Sequence, residues 1–175
     1  MTSSVKKADR IETFLGDLEV SDGSFHKCYL GYFECFNAEQ YYEAHDVLEH
    51  LWLSESGANF AFFKGLIQVA GAFVHLKKQH ARPEHPTDGR RLHPAVRLFA
   101  LGAGNLAPFT PTHMGLDVAA LRELCRDVAA GITASGFEKN PWLPGQGPRL
   151  HLQPAGILST FDGPDSSVRP DAPGH

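Results

Sequence analysis

Cysteine is scarce in this chain of 175 residues: Cys28, Cys35 and Cys125 are the three present, and none belongs to a CxxC pair. That absence argues against a structural zinc knuckle. Cys28 and Cys35 fall on one predicted helix, roughly 10 Å apart at a rise of 1.5 Å per residue, beyond the reach of a disulfide. An odd number of thiols fits a reducing, cytoplasmic setting. The opening MTSSVKKADRIETF has two lysines but no apolar h-region, so no signal peptide is expected. Charge of one sign is also missing. A net charge of -4 with 21% charged residues argues against nucleic acid or an acidic membrane as partner. The most apolar window, Phe60 to Leu76, is interrupted by Lys64, Gln68 and His75. It is shorter than the roughly 20 residues a membrane span needs, and reads as a buried core helix. No Gly-rich phosphate loop, serine elbow or Cys/His dyad occurs.

What is present is helical periodicity. Ile11, Phe14, Leu15 and Leu18 predict an opening helix over 6–18, and Phe25, Tyr29, Tyr32, Phe33 and Phe36 a second over 25–36. That aromatic second helix fits either internal packing or a homodimer seam. Asn37 reads as an N-cap, with Gln40 in the capping-box position, opening a third helix to about Leu53. After a short break at 54–57, a fourth helix runs from about Asn59 to Gln79. The brief connection predicts an antiparallel hairpin. Residues 80–92 form a polar loop. Pro94 suits the first turn of a fifth helix to about Leu106, weakened at its end by Gly102 and Gly104. A sixth helix covers about 116–133. Beyond Gly136, the last 39 residues hold seven of the twelve prolines. Its first part is expected to pack as an extended strap, with disorder beyond about 160. The expectation is an all-α fold: a compact bundle of five to six helices with a central hairpin, a domain over 1–136 and a tail over 137–175. No strand is expected.

One run stands out: His45-Asp46-Val47-Leu48-Glu49-His50-Leu51-Trp52. Residues i and i+4 stand one above the other on a helix, close enough to hold one ion or each other. At about 100° per residue, with His45 at zero, Glu49 falls near 40°, Tyr42 near 60° and Trp52 near 340°. His45 and Glu49 thus edge an apolar, aromatic face, whereas Glu43, Asp46 and His50 fall on the solvated side. On the fourth helix Ala61, Gly65, Gln68, Gly71, Ala72 and His75 share a small-residue face that admits a close neighbour. Buried Gln68 and His75 need partners, and the economical arrangement sets them opposite His45 and Glu49.

Two readings follow. In one, His45, Glu49 and His75 ligate one divalent metal, zinc, iron or manganese, leaving a position open. Gln68 then orients a ligand or bound water, and Trp52 and Tyr42 wall the site. In the other, His45, Glu49, Gln68 and His75 form a buried polar network that fixes helix register.

The run from Phe36 to Trp52, followed by Gly65-Leu66-Ile67-Gln68-Val69-Ala70 and His75, resembles the bacterial and archaeal family called domain of unknown function 309. Its signature is FNxxxYxEAHExLExxW followed by a GLIQxA helix. The resemblance covers about residues 25–107, with His45, Glu49 and Trp52 intact. It implies a small helical domain of no established activity, whose HxxxExxW element has been suggested to bind metal. Asp46 replaces the usual glutamate, and being on the exposed arc it should matter little. Residues 86–94 replace a shorter Gly-Asn turn.

The leading expectation is a cytoplasmic divalent-metal-binding protein. If it is an enzyme, it is a metal-dependent hydrolase of a small-molecule substrate, with a metal-activated water as the means. The rival is a non-catalytic interaction module. The basic stretch 77–93 reads as a solvated loop, with anion binding as a third possibility, and Asp88-Gly89 as a turn pair.

Overall fold

The computed structural model describes residues 9–13, 15 and 25–153. Apolar residues at helical spacing build five helices there: α1 (Lys27–Asn37), α2 (Tyr41–Trp52), α3 (Phe60–Ala81), α4 (Leu92–Leu106) and α5 (Val118–Ala134). Residues 9–13 and 15 are helical too. The rest of the opening helix expected over 6–18, and the disorder expected past 160, lie outside the described residues.

Successive helices run antiparallel. Phe36 meets Tyr41 across the α1–α2 corner at 5.0 Å between ring centres. Tyr41 stacks on Phe73 at 5.0 Å, while Trp52 meets Phe60 at the other end of the α2–α3 hairpin. Phe73 in turn meets Phe99 of α4 edge-on at 5.1 Å. This chain of offset and edge-to-face rings is the core, and such contacts add about 0.5–1.5 kcal/mol per pair beyond area burial. Tyr29, Tyr32, Phe33 and Phe36 are all buried inside this single chain. The hydroxyl of Tyr32 donates to the Leu66 carbonyl at 2.8 Å, so a buried polar atom is satisfied.

At 22 residues α3 runs about as long as its pattern suggested. By length and composition alone it could cross a membrane, but here both flanks are covered by α2 and α4, and Phe62, Leu66, Val69, Ala70, Phe73 and Leu76 are buried. Its small face turns to α4. A Cβ on Gly65 would stand 3.1 Å from the Gly102 carbonyl oxygen, and one on Gly102 would stand 3.0 Å from that of Gly65. Gly102 is therefore a packing glycine at a close helix crossing, rather than only a weak point in α4.

Three local expectations are corrected. Asn37 ends α1 and does not cap α2. The residue before α2 is Gln40, which makes no side-chain cap. The Asn37 carboxamide serves the C-terminal strap instead. The sixth helix begins at Val118, capped by Asp117, whose Oδ1 accepts from Ala120 N at 2.9 Å. The two residues before it join a two-stranded ribbon, β1 (Thr112–His113) with β2 (Leu116–Asp117), where no strand was expected. The reason is the turn: Met114 (φ 47°) and Gly115 (φ 76°) both take the left-handed conformation that a tight two-residue hairpin requires.

The strap is extended, as expected. Trp142 is buried, its Nε1 donating to the Tyr41 hydroxyl at 3.1 Å. Asn140 Nδ2 donates to the Leu76 carbonyl at 2.8 Å. Glu39, in the left-handed region at φ 58°, turns its carboxylate to accept from Gly145 N and Gly147 N. Leu152 bridges to Leu116 at its far end.

Candidate metal centre

The helix α2 is buried on two sides. Tyr41, Ala44 and Leu48 enter the main core, while Val47 packs on the other flank with Ile11 and Cys28. That second cover changes the standing of Asp46. The helical arc puts it on the solvated side of the hairpin, yet only 13% of its side chain is exposed. The expectation that Asp46 lies on the exposed arc is therefore wrong. It considered one neighbouring helix where α2 has neighbours on both flanks.

His45, Asp46 and Glu49 form the cluster. One ligand atom from each lies within 4.8 Å of the others, and all three residues are half-buried. His45 Nδ1 stands 3.2 Å from Asp46 Oδ1. The Tyr42 ring lies parallel to the imidazole at 6.5 Å between centres, and is itself mostly exposed. The other side of the His45 ring rests on α3 where Gly71 has no side chain: a Cβ there would reach His45 Cδ2 at 4.0 Å. That is ordinary van der Waals distance; the tight neighbour of such a Cβ is Leu98 Cδ1 of α4 at 3.2 Å. Two ligand atoms each about 2.1 Å from one ion stand at most about 4.2 Å apart. Atoms as far as 4.8 Å apart must therefore draw closer by about half an ångström to share one ion. One imidazole and two carboxylates make a donor set suited to zinc, iron or manganese.

The other predicted residues lie elsewhere. Gln68 Oε1 accepts from Asn105 Nδ2 of α4 at 2.7 Å. His75 Nδ1 lies 3.1 Å from Arg91 Nη1, at the start of α4. Burial, with Arg91 and Lys78 next in importance, holds the His75 imidazole below its usual pKa. It is therefore the neutral acceptor of the guanidinium proton. Gln68 and His75 do share a face, as their spacing requires, but that face looks toward α4 rather than α2. Trp52 lies two turns beyond His45, against Phe60, and its buried Nε1 has no hydrogen-bond partner among the described residues.

Asp88, expected as half of a turn pair, and Arg91, expected in a solvated basic loop, instead form a part-buried ion pair. Asp88 opens a short 3-10 turn (Asp88–Arg90) and is buried. Arg91 Nε donates to its Oδ1 at 2.6 Å, and Arg82 Nη1 lies 3.2 Å from Oδ2. The hydrogen bond from Arg91 is the main reason its carboxyl stays below the usual range. An Asp-Gly pair signals a turn whether or not its carboxylate is used, so nothing local distinguishes this one.

The three thiols are buried, and burial pushes Cys35 and Cys125 up to about 12, so neither is a nucleophile at neutral pH.

Residues 29–83, the stretch that holds α2 and α3, match the family described as domain of unknown function (DUF309). No curated protein and no solved structure matches the chain.

Proposed function

We propose that this chain binds a divalent cation through His45, Asp46 and Glu49. The observation that carries the reading is the approach of one imidazole and two carboxylates to within 4.8 Å on a half-buried face. Like charges cost energy when brought together away from water, and a cation between them repays it. Bound there, a divalent metal would lower the pKa of a coordinated water, which is the chemistry of hydrolysis. On this chain, Asp46 either ligates the ion or orients His45, whose Nδ1 it meets at 3.2 Å.

The rival is a structural network without metal. It is favoured by the direct 3.2 Å contact of His45 with Asp46 and by the pairing of Gln68 and His75 with α4. Metal content separates the two. Protein purified without chelator or affinity tag is expected to carry about one equivalent of zinc, iron or manganese, lost in Glu49→Ala. Metal-free wild type that also fails to bind added Zn²⁺ or Mn²⁺, with a mutant that only folds less stably, would make the motif architecture.

A further inference from the structure

We propose that the cleft between the end of α3 and the 82–91 loop is a second binding site, one that takes the phosphate group of a small molecule. The cleft encloses about 470 Å³ and is lined by Lys78, Arg82, His85, Asp88 and Arg91 among others. That volume falls in the range of about 300–1,000 Å³ typical of small-ligand pockets. Most of its loop, from residue 84 on, lies beyond the family-matched stretch, which ends at residue 83.

The charge balance is what points to an anion. The single carboxylate of Asp88 holds a guanidinium on each oxygen, Arg91 on Oδ1 and Arg82 on Oδ2, with Lys78 on the same wall. Lys78, Arg82 and Arg91 outnumber the one carboxylate in this lining, and the surplus cations repel one another across a concave surface. An incoming oxyanion relieves that repulsion. The donors are also held in place. Asp88 fixes Arg91 at Nε while Nη1 donates a hydrogen bond to His75 Nδ1, so this guanidinium is anchored at two points. His85 Nδ1 accepts from the backbone N–H groups of Thr87 and Asp88 at 3.3 and 3.2 Å. That nitrogen therefore carries no proton, its 3.7 Å approach to Asp88 is not an ion pair, and the ring keeps Nε2–H as a donor. Gly89 keeps the loop tight: a Cβ there would collide with the Pro83 carbonyl oxygen. Planar guanidiniums with an ammonium and an imidazole N–H match an oxyanion with several acceptor oxygens better than they match a carboxylate.

The test is calorimetric titration of the whole chain with pyrophosphate, inorganic phosphate and acetate, in chelator so that the His45 cluster takes no part. Saturable binding of pyrophosphate is expected, weakening as salt rises and falling at least tenfold in Lys78→Glu and in Arg82→Glu. Both side chains are exposed, so circular dichroism should show both variants folded. His45→Ala should bind pyrophosphate like the wild type. No saturable binding, equal binding of acetate, or binding indifferent to both charge reversals overturns the proposal. So does pyrophosphate binding that appears only with added metal, which would place the anion at the His45 cluster. A single-stranded oligonucleotide that outcompetes pyrophosphate would overturn the small-molecule class.

Discussion

The carboxamide of Asn37 grips the backbone of Leu150 at both ends: Nδ2 donates to the Leu150 carbonyl at 2.8 Å, and Leu150 N–H donates to Oδ1 at 2.7 Å. A side chain thus imitates one rung of a β-ladder and fastens the strap to the end of α1. Each such bond is worth about 0.5–1.5 kcal/mol net, so Asn37→Ala should cost about 1–3 kcal/mol, read as a lower urea midpoint. Limited proteolysis should then cut first within 143–150. A midpoint equal to wild type would mean the strap is held by its other contacts, those of Asn140, Trp142 and the Glu39 carboxylate.

The cluster on α2 gives a second expectation, which separates the residues the structure joins from those it does not. His45→Ala, Asp46→Asn and Glu49→Gln should each weaken Zn²⁺ binding by a factor of about 10 or more, the scale of losing a ligand or its orienting partner. His75→Gln should leave it unchanged, since His75 is engaged by Arg91. Titration with a competing chromophoric chelator reads all four. Loss of metal in His75→Gln would restore the ligand set first drawn from spacing.

Two glycines two residues apart on α4 should respond in opposite directions. Gly102→Ala drives a methyl toward the Gly65 carbonyl oxygen and Val69 Cγ2, both 3.0 Å from the new Cβ. Overpacking of this kind costs about 1–3 kcal/mol and the gain in helix preference returns at most about 1, for a net loss of about 1 kcal/mol. Gly104 has nothing within 4 Å, so Gly104→Ala should stabilise by about 0.5–1 kcal/mol. Thermal melts of the pair check the crossing.

Acid should weaken the fold from the upper edge of the histidine range. Burial lowers both His75 and His113 from 6.5, so between the folded and unfolded values the unfolded chain binds more protons. Stability is fully present above pH 6.5 and declines as pH falls below it through the lowered folded values. Asp88, also held low, extends the loss into the carboxylate range. Urea midpoints taken at stepwise pH should show this, with a shallower slope in His75→Gln, whose carboxamide oxygen can still accept from Arg91. A midpoint flat between pH 7 and 5, well inside typical His titration, would count against it.

Much of the architecture was legible because periodicity reports which side of a helix is buried. Tyr29, Tyr32 and Phe36, or Leu66 and Phe73, could be assigned to the core on that basis, and the hairpin followed from the short 54–57 break. Periodicity does not report which neighbour covers a face. Gln68 and His75 point the same way, as expected, but α4 stands there instead of α2. Asp46 was lost for the same reason, because the cover over Val47 comes from Ile11, far from the hairpin. Asn37 fitted a capping pattern, and only the return of the chain at Leu150 reveals its other use. The ribbon at 112–117 is too short for alternation to register; it depends on two positive φ angles.

The strap also has a consequence for synthesis. Tyr41 and Asn37 wait for partners 101 and 113 residues later, so a chain emerging from the ribosome carries the α1–α2 corner with its polar groups still hydrated. The helices can pair locally as they appear, since their contacts are between neighbours. Closure over Tyr41 comes only when Trp142 arrives. Until then the growing polypeptide holds a half-covered aromatic seam, the kind of transient surface on which misassembly begins.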